Sequence, residues 1–190
     1  FPTRRSSDLI DRNRASATSP TMPAVERYTG VLYDALGIES MDAAARAFLD
    51  AHVVIHSALF GLLRAGDPIP AYRFSHDTRI PGASLSKLWR EPIAEVLDVQ
   101  PGFVLDLRSE SYVHLGPASD RSVFLRVVSD DGSGHRRALN HFNKPGKGDL
   151  VRALANARIV PESVADLVDW SRSVGIELVP GADGELELVV

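Results

Sequence analysis

The strongest chemical feature of the chain is His141-Phe142-Asn143-Lys144-Pro145-Gly146-Lys147-Gly148-Asp149, with Arg152 one turn further on. From Arg136 to Arg158 there are six basic residues and one acidic, a local balance of +5 in a chain whose formal charge is −4. Glycines let backbone N–H groups approach an anion, and a helix N-terminus favours negative charge. Lys144 and Lys147 flank such a turn and suit a phosphate or a carboxylate. The GxxxxGK[ST] spacing is absent, so this is no Walker A loop. A solvated basic turn before an Asp149-capped helix explains the same residues equally well.

A second constellation, Asp106-Leu107-Arg108-Ser109-Glu110-Ser111-Tyr112, follows an apolar run. Ligands of open α/β sheets sit beyond the carboxyl ends of strands. The structural reading weighs as much: Ser109 caps the next helix, and Asp106 pairs with Arg108 or another base. Ser57 lacks the GxSxG frame of a hydrolase elbow. His52 and His56 are four apart, but the intervening Val-Val-Ile reads as strand. There the two rings stand ~13 Å apart and cannot share one ion. The chain has no cysteine, so an iron site would need a His/carboxylate cluster, and no spacing shows one. No metal and no cofactor are expected.

Apolar spacing predicts the elements that carry these residues. Helices are expected over Ala24–Leu36, Asp42–Asp50, Ser57–Arg64, Ser84–Leu97, Ser109–Leu115, Asp149–Ala157 and Glu162–Ser173. Strands are expected at Val53–Ile55 and Phe103–Leu107. Ser122–Ser129 with Arg136–Phe142, and Ile176–Val179 with Leu186–Val190, read as two hairpins. The fold class is α/β (α+β), a single domain with a mixed sheet flanked by helices and two C-terminal hairpins. Residues 10–23 read as an extended connector and 24–190 as the domain. Phe1–Leu9 (FPTRRSSDL) has no apolar period and resembles translated adapter sequence, so it is set aside. Without it the net charge becomes −5, and a basic arm disappears as an argument for nucleic acid.

Composition narrows the classes further. Of the 190 residues 44% are hydrophobic and 24% charged, ordinary for a soluble globular domain. No apolar run approaches the ~20 residues of a membrane span. The absence of cysteine fits a reducing compartment, so a cytoplasmic location is expected. A net acidic chain binds nucleic acid only through a local basic site.

Taken in order, five segments resemble the YaaA family of peroxide stress proteins: Tyr28–Leu36, Ser57–Arg73, Leu85–Trp89, Val104–Tyr112 and His141–Arg152. They carry the family's Ser-x-Leu-aromatic-Gly-x-Leu-Arg and Pro-x-Tyr-Arg patterns, its Leu-x-Ser-x-x-Tyr strand end, and its Lys-rich turn followed by Arg. Two departures stand out. The family's N-terminal strand and helix-hairpin-helix segment are missing, which suggests a truncated fragment, and Lys147 replaces an Arg, losing the bidentate fork. The resemblance implies a cytosolic protein that limits oxidative DNA damage, lowers available iron and binds DNA through a positive cleft.

The expected site follows. Lys144, Lys147 and Arg152 would converge on one anion, with Arg64, Arg73 and Arg108 on the other wall. Ser57, Tyr72, Ser109, Glu110 and Tyr112 would supply polar or stacking contacts to DNA. The rival is an enzyme acting on a small anionic substrate in the same ring, with Glu110 as its acid/base group. A closed pocket of ~300–1,000 Å³ would favour the enzyme, and a long open groove nucleic acid. Deleting residues 1–9 should shift the melting temperature by less than ~4 °C, a change that differential scanning calorimetry resolves.

Overall fold

The structure, a computed structural model, describes residues 13, 16–118, 121–132, 136–139, 143–182 and 184–190. The 1–9 segment and His141–Phe142 of the basic motif lie outside the described residues. In chain order the elements are β1 (Thr21–Pro23), α1 (Ala24–Arg27), α2 (Val31–Leu36), a 3-10 turn (Ile38–Ser40) and α3 (Ala43–His52). Then come β2 (Val54–Ser57), β3 (Gly61–Arg64), β4 (Pro68–Pro70), α4 (Leu85–Asp98), β5 (Val104–Asp106) and α5 (Glu110–Leu115). The chain continues with β6 (Ser122–Asp130), β7 (Arg136–Ala138), α6 (Asn143–Ala157), α7 (Val164–Ser173), β8 (Leu178–Pro180) and β9 (Glu185–Val189).

Alternating apolar residues build the expected mixed sheet, in the order β5-β6-β9-β8. Val123, Leu125 and Val127 of β6 and Leu186 and Leu188 of β9 are buried with Leu150 of α6 and Leu167 and Val168 of α7. The intervening Phe124, Arg126 and Glu185 line a cleft instead. That is the period-2 division of a strand between two faces. Strands β5 and β9 run parallel to β6 on its two edges, with Phe124 opposite both Asp106 and Glu185. Both expected hairpins form, β7 antiparallel on the far end of β6 and β8 on β9. Because the pairing of β6 with β5 stops at Phe124 and its pairing with β7 begins at Val128, Leu125 and Arg126 have no strand partner on that edge among the described residues.

A second core joins Val25, Leu36, Met41, Ala45, Leu49 and Ala65 to Val151 and Ala155 of α6. Its helix α3 starts at the Asp42 cap, whose Oδ1 accepts from the Ala45 amide at 2.7 Å. Helix α6 contributes to both cores and touches α2 closely. A Cβ on Gly148 would lie 2.3 Å from the Leu32 carbonyl oxygen and 2.9 Å from the Ala35 Cβ.

Four local expectations are corrected. Ser57–Arg64 is not a helix but the turn and second strand of the β2–β3 hairpin, with Ser57 opposite Gly61. The Ser57 hydroxyl accepts from the Leu59 and Phe60 amides, and Gly61 takes φ +75°, a hairpin geometry that leucine spacing does not reveal. Ala24–Leu36 is two helices, because Gly30 at φ +114° breaks the run. Within the presumed connector, residues 21–23 form β1 and pair with β4. Residues 143–148 are helical rather than a loop, so α6 starts six residues before Asp149.

Gly148→Ala should destabilise the fold although alanine is the better helix former, because the methyl group meets α2 backbone. The cost should be about 1–3 kcal/mol, read as a lower midpoint in urea unfolding.

Candidate functional site

The first turns of α6 hold Lys147 inside the protein. Pro145 is tolerated there because the first-turn N–H groups lack intrahelical acceptors. A Cβ on Gly146 would sit 3.2 Å from Leu188 and Val190, so this glycine, like Gly148, permits close packing rather than a phosphate cradle. Lys147 is 4% exposed. Its Nζ donates to the Leu107 carbonyl at 3.1 Å and reaches that of Arg108 at 3.4 Å, tying α6 to the loop between β5 and α5. It also stands 4.9 Å from the centre of the Phe124 ring. Burial brings its pKa down to about 8; Arg126 adds to the fall, while Asp106, Glu110 and Glu185 oppose it.

The neighbouring arginines are paired. Arg108 Nε and Nη2 donate to the two oxygens of buried Asp106 at 2.9 and 2.6 Å. Its Nη1 donates to the Gly116 carbonyl at 2.8 Å and faces His56 Nδ1 at 3.1 Å. With Nδ1 accepting, the His56 proton sits on Nε2, which is buried without a partner among the described residues. Burial, then the Arg108 charge, lowers the His56 pKa to about 4. Arg126 grips Glu185 through Nε and Nη2 at 2.5 and 2.6 Å, and its Nη1 reaches Glu110 at 3.3 Å. The Glu110 side chain is 76% exposed.

Two depressions meet here. A cleft of about 420 Å³ is lined by Asp106, Glu110, Val113, Phe124, Arg126 and Glu185 among others. A crevice of about 260 Å³ opens beside the unpaired edge of β6, between Ser109, Glu110, Ser111, Arg126, Asn143 and Lys147. Glu110, Phe124 and Arg126 belong to both. Ser109 occupies the N-cap position of α5, but its hydroxyl makes no capping bond.

Of the residues expected from the sequence, Arg108, Ser109, Glu110 and Lys147 are therefore brought together. The convergence of Lys144, Lys147 and Arg152 on one anion is not formed. Lys147 and Arg152 are five positions apart, about 140° around the helix. Arg152 Nη1 instead reaches the Leu36 and Gly37 carbonyls at 3.3 and 3.5 Å, and its Nη2 donates to Ser40 Oγ at 2.9 Å. It closes the C-terminus of α2, where free carbonyls favour a cation. Ser57 and Tyr72 form a separate hydroxyl cluster, 2.6 Å apart, which Tyr28 joins by a short bond to Tyr72. Tyr112 packs edge-on to His56, ring centres 5.1 Å apart. Arg64, Arg73 and Lys144 are exposed, and none has an ion pair among the described residues.

Arg126, Glu185 and Phe124 complete the site without having been singled out in the sequence, and His56, weighed there only as a metal ligand with His52, joins them through Arg108. Arg126 left one legible sign, a charged residue at an alternating position of the apolar run Val123–Val128. His56 and Glu185 left none, since their partners lie 52 and 59 residues away.

The chain has recognisable relatives. A family model described as "Peroxide stress protein YaaA" matches residues 4–175. A UPF0246 protein of Corynebacterium efficiens is 40% identical over 185 residues, covering 94% of this chain and 74% of the relative. A UPF0246 protein of Streptomyces coelicolor is 39% identical over 176 residues, covering 89% of this chain and 66% of the relative. An uncharacterized protein of Campylobacter jejuni is 27% identical over 143 residues, covering 74% and 56% respectively.

The lowered His56 pKa carries a sign. The unfolded chain binds the imidazole proton near the ordinary value of 6.5 and the folded chain only near 4, so acid favours unfolding between these values. Stability contributed by neutral His56 is present above pH 6.5 and falls away as pH drops towards 4. Urea unfolding across this range should show a shallower acid loss in His56→Phe than in the parent.

Proposed function

This chain belongs to the YaaA family of peroxide stress proteins, and from that membership we propose that it serves the response by binding DNA, limiting iron-driven oxidative damage there. The reading rests on one observation: the side chains of Arg64, Arg73 and Lys144 are exposed and free of carboxylate partners among the described residues, while those of Arg108, Lys147 and Arg152 are engaged internally. Free surface cations are what a phosphate backbone recruits, and each contact releases condensed counterions. Ferrous ion is one of the cations that gather on DNA. A protein lying along the backbone displaces such ions from the sites where peroxide would be reduced to hydroxyl radical. Action on DNA fits the cytoplasmic location expected from the sequence.

The acidic net charge of −4 sets a limit on the affinity. Contacts must be local, and binding should be salt-sensitive and indifferent to sequence, because phosphate contacts position without reading bases.

Fluorescence anisotropy with a duplex oligonucleotide across a salt series tests the reading. Replacing Arg64, Arg73 and Lys144 together by Ala should weaken binding and reduce the slope of log K against log[salt] by about 0.9 for each phosphate that is no longer neutralised. The parent should also protect plasmid DNA from nicking by ferrous iron and peroxide better than the triple variant. Equal affinity and slope in both proteins would remove the DNA assignment.

A further inference from the structure

The crevice beside β6 holds a buried cation that the DNA reading does not use. Three acidic side chains, Asp106, Glu110 and Glu185, and three basic ones, Arg108, Arg126 and Lys147, line the crevice and the adjoining cleft together. Asp106 is taken by Arg108 and Glu185 by Arg126, each through two hydrogen bonds. Lys147 and Glu110 are left, and they do not pair with each other. Lys147, 4% exposed, has only carbonyl acceptors and the Phe124 ring among the described residues. Glu110 is held at 3.3 Å by one nitrogen of Arg126 and is otherwise in solvent. Buried charges are ordinarily paired, because an unpaired one loses its hydration without return. Here the crevice lies open beside the ammonium, and Ser109, Ser111 and Asn143 add uncharged polar groups to its walls.

The position in the fold points the same way. The edge of β6 changes partner from parallel β5 to antiparallel β7, leaving Leu125 and Arg126 without a strand neighbour there among the described residues. Crevices beyond the carboxyl end of a parallel strand, where the strand arrangement changes, are the usual ligand sites of open sheets. The adjoining cleft of about 420 Å³, walled partly by Val113, Pro117 and Phe124, has room for an uncharged body attached to the anion.

We propose that this crevice binds a small molecule through a carboxylate or phosphate group, which pairs with Lys147 and takes the place of Glu110 on Arg126. Its uncharged part lies along Phe124 in the wider cleft. Glu110 then acts as a competing internal anion that an incoming ligand displaces. This site stands apart from the DNA reading, whose cations are Arg64, Arg73 and Lys144.

Two conservative variants should move binding in opposite directions. Glu110→Gln removes the competitor and should tighten anion binding several-fold. Lys147→Met removes the pairing cation with little change in volume and should abolish it; the variant's own spectrum reports whether the fold survives the loss of the bonds to the Leu107 and Arg108 carbonyls. Binding should also weaken as pH rises past about 8, by up to about tenfold per pH unit, as the Lys147 ammonium gives up its proton. The other charges facing Lys147 are those of Asp106, Glu110, Arg126 and Glu185.

Heteronuclear NMR titrations with acetate and with inorganic phosphate, against sodium chloride at equal ionic strength, decide the matter. Saturable shifts at Ser109, Glu110 and Lys147 with acetate alone mark a carboxylate site, and with phosphate alone a phosphate site; either supports the proposal, as does saturation by both. Shifts no larger than those of chloride overturn it. So does an undiminished affinity in Lys147→Met with its spectrum still folded, or a weaker affinity in Glu110→Gln.

Discussion

Helix α6 meets α2 at backbone distance, and most of the arrangement depends on that contact. Gly148 has no side chain to hold the Leu32 carbonyl away. Its neighbours on the helix then reach two cores at once: Leu150 enters the sheet core, while Val151 and Ala155 enter the core built by α1, α2 and α3. Two glycines in a helix cost about 1 kcal/mol each in propensity. Close packing against Leu188 and Val190 on one side and α2 on the other offsets that cost. Lys147, between the two glycines, is drawn inside by the same approach. Its ammonium finds the Leu107 and Arg108 carbonyls, and so fixes the loop that carries Ser109 and Glu110.

The charges of the site follow a division of labour. Arg108 and Arg126 take bidentate carboxylates, the geometry in which a guanidinium fork is strongest. Arg152 is spent on the open carbonyls at the end of α2. The strongly basic stretch from Arg136 to Arg158 is therefore not a basic surface. Arg136 is paired with Glu187, Lys147 is buried and Arg152 caps a helix, which leaves Arg137, Lys144 and Arg158 exposed. A cluster of like charges along the chain disperses because a helix turns each residue towards a different neighbour. Peroxide-stress membership and the exposed side chains of Arg64, Arg73 and Lys144 motivate the DNA reading; the buried Lys147, with no carboxylate partner among the described residues, motivates a small-anion site.

Sequence alone determined the features that rest on local pattern. Alternation in Ser122–Asp130 and Glu185–Val189 wrote the sheet, since strand neighbours point to opposite faces whatever the rest of the chain does. The apolar spacing of α4 and α7 marked helices that tertiary contacts did not override. The ordered motifs around Ser57, Arg108 and Lys147 were enough to indicate the family. Tertiary structure alone decided what those motifs do. Leucine spacing at 59, 62 and 63 suggested a helix, yet the Ser57 hydroxyl and the positive φ of Gly61 folded the segment into a hairpin against Trp89. A Gly-Lys-Gly turn suggested a phosphate cradle, yet both glycines serve helix packing. The pairings of Arg126 with Glu185 and of Arg108 with His56 span more than fifty residues. No local spacing encodes such pairs, because they exist only after strand register and helix contact have set the distances.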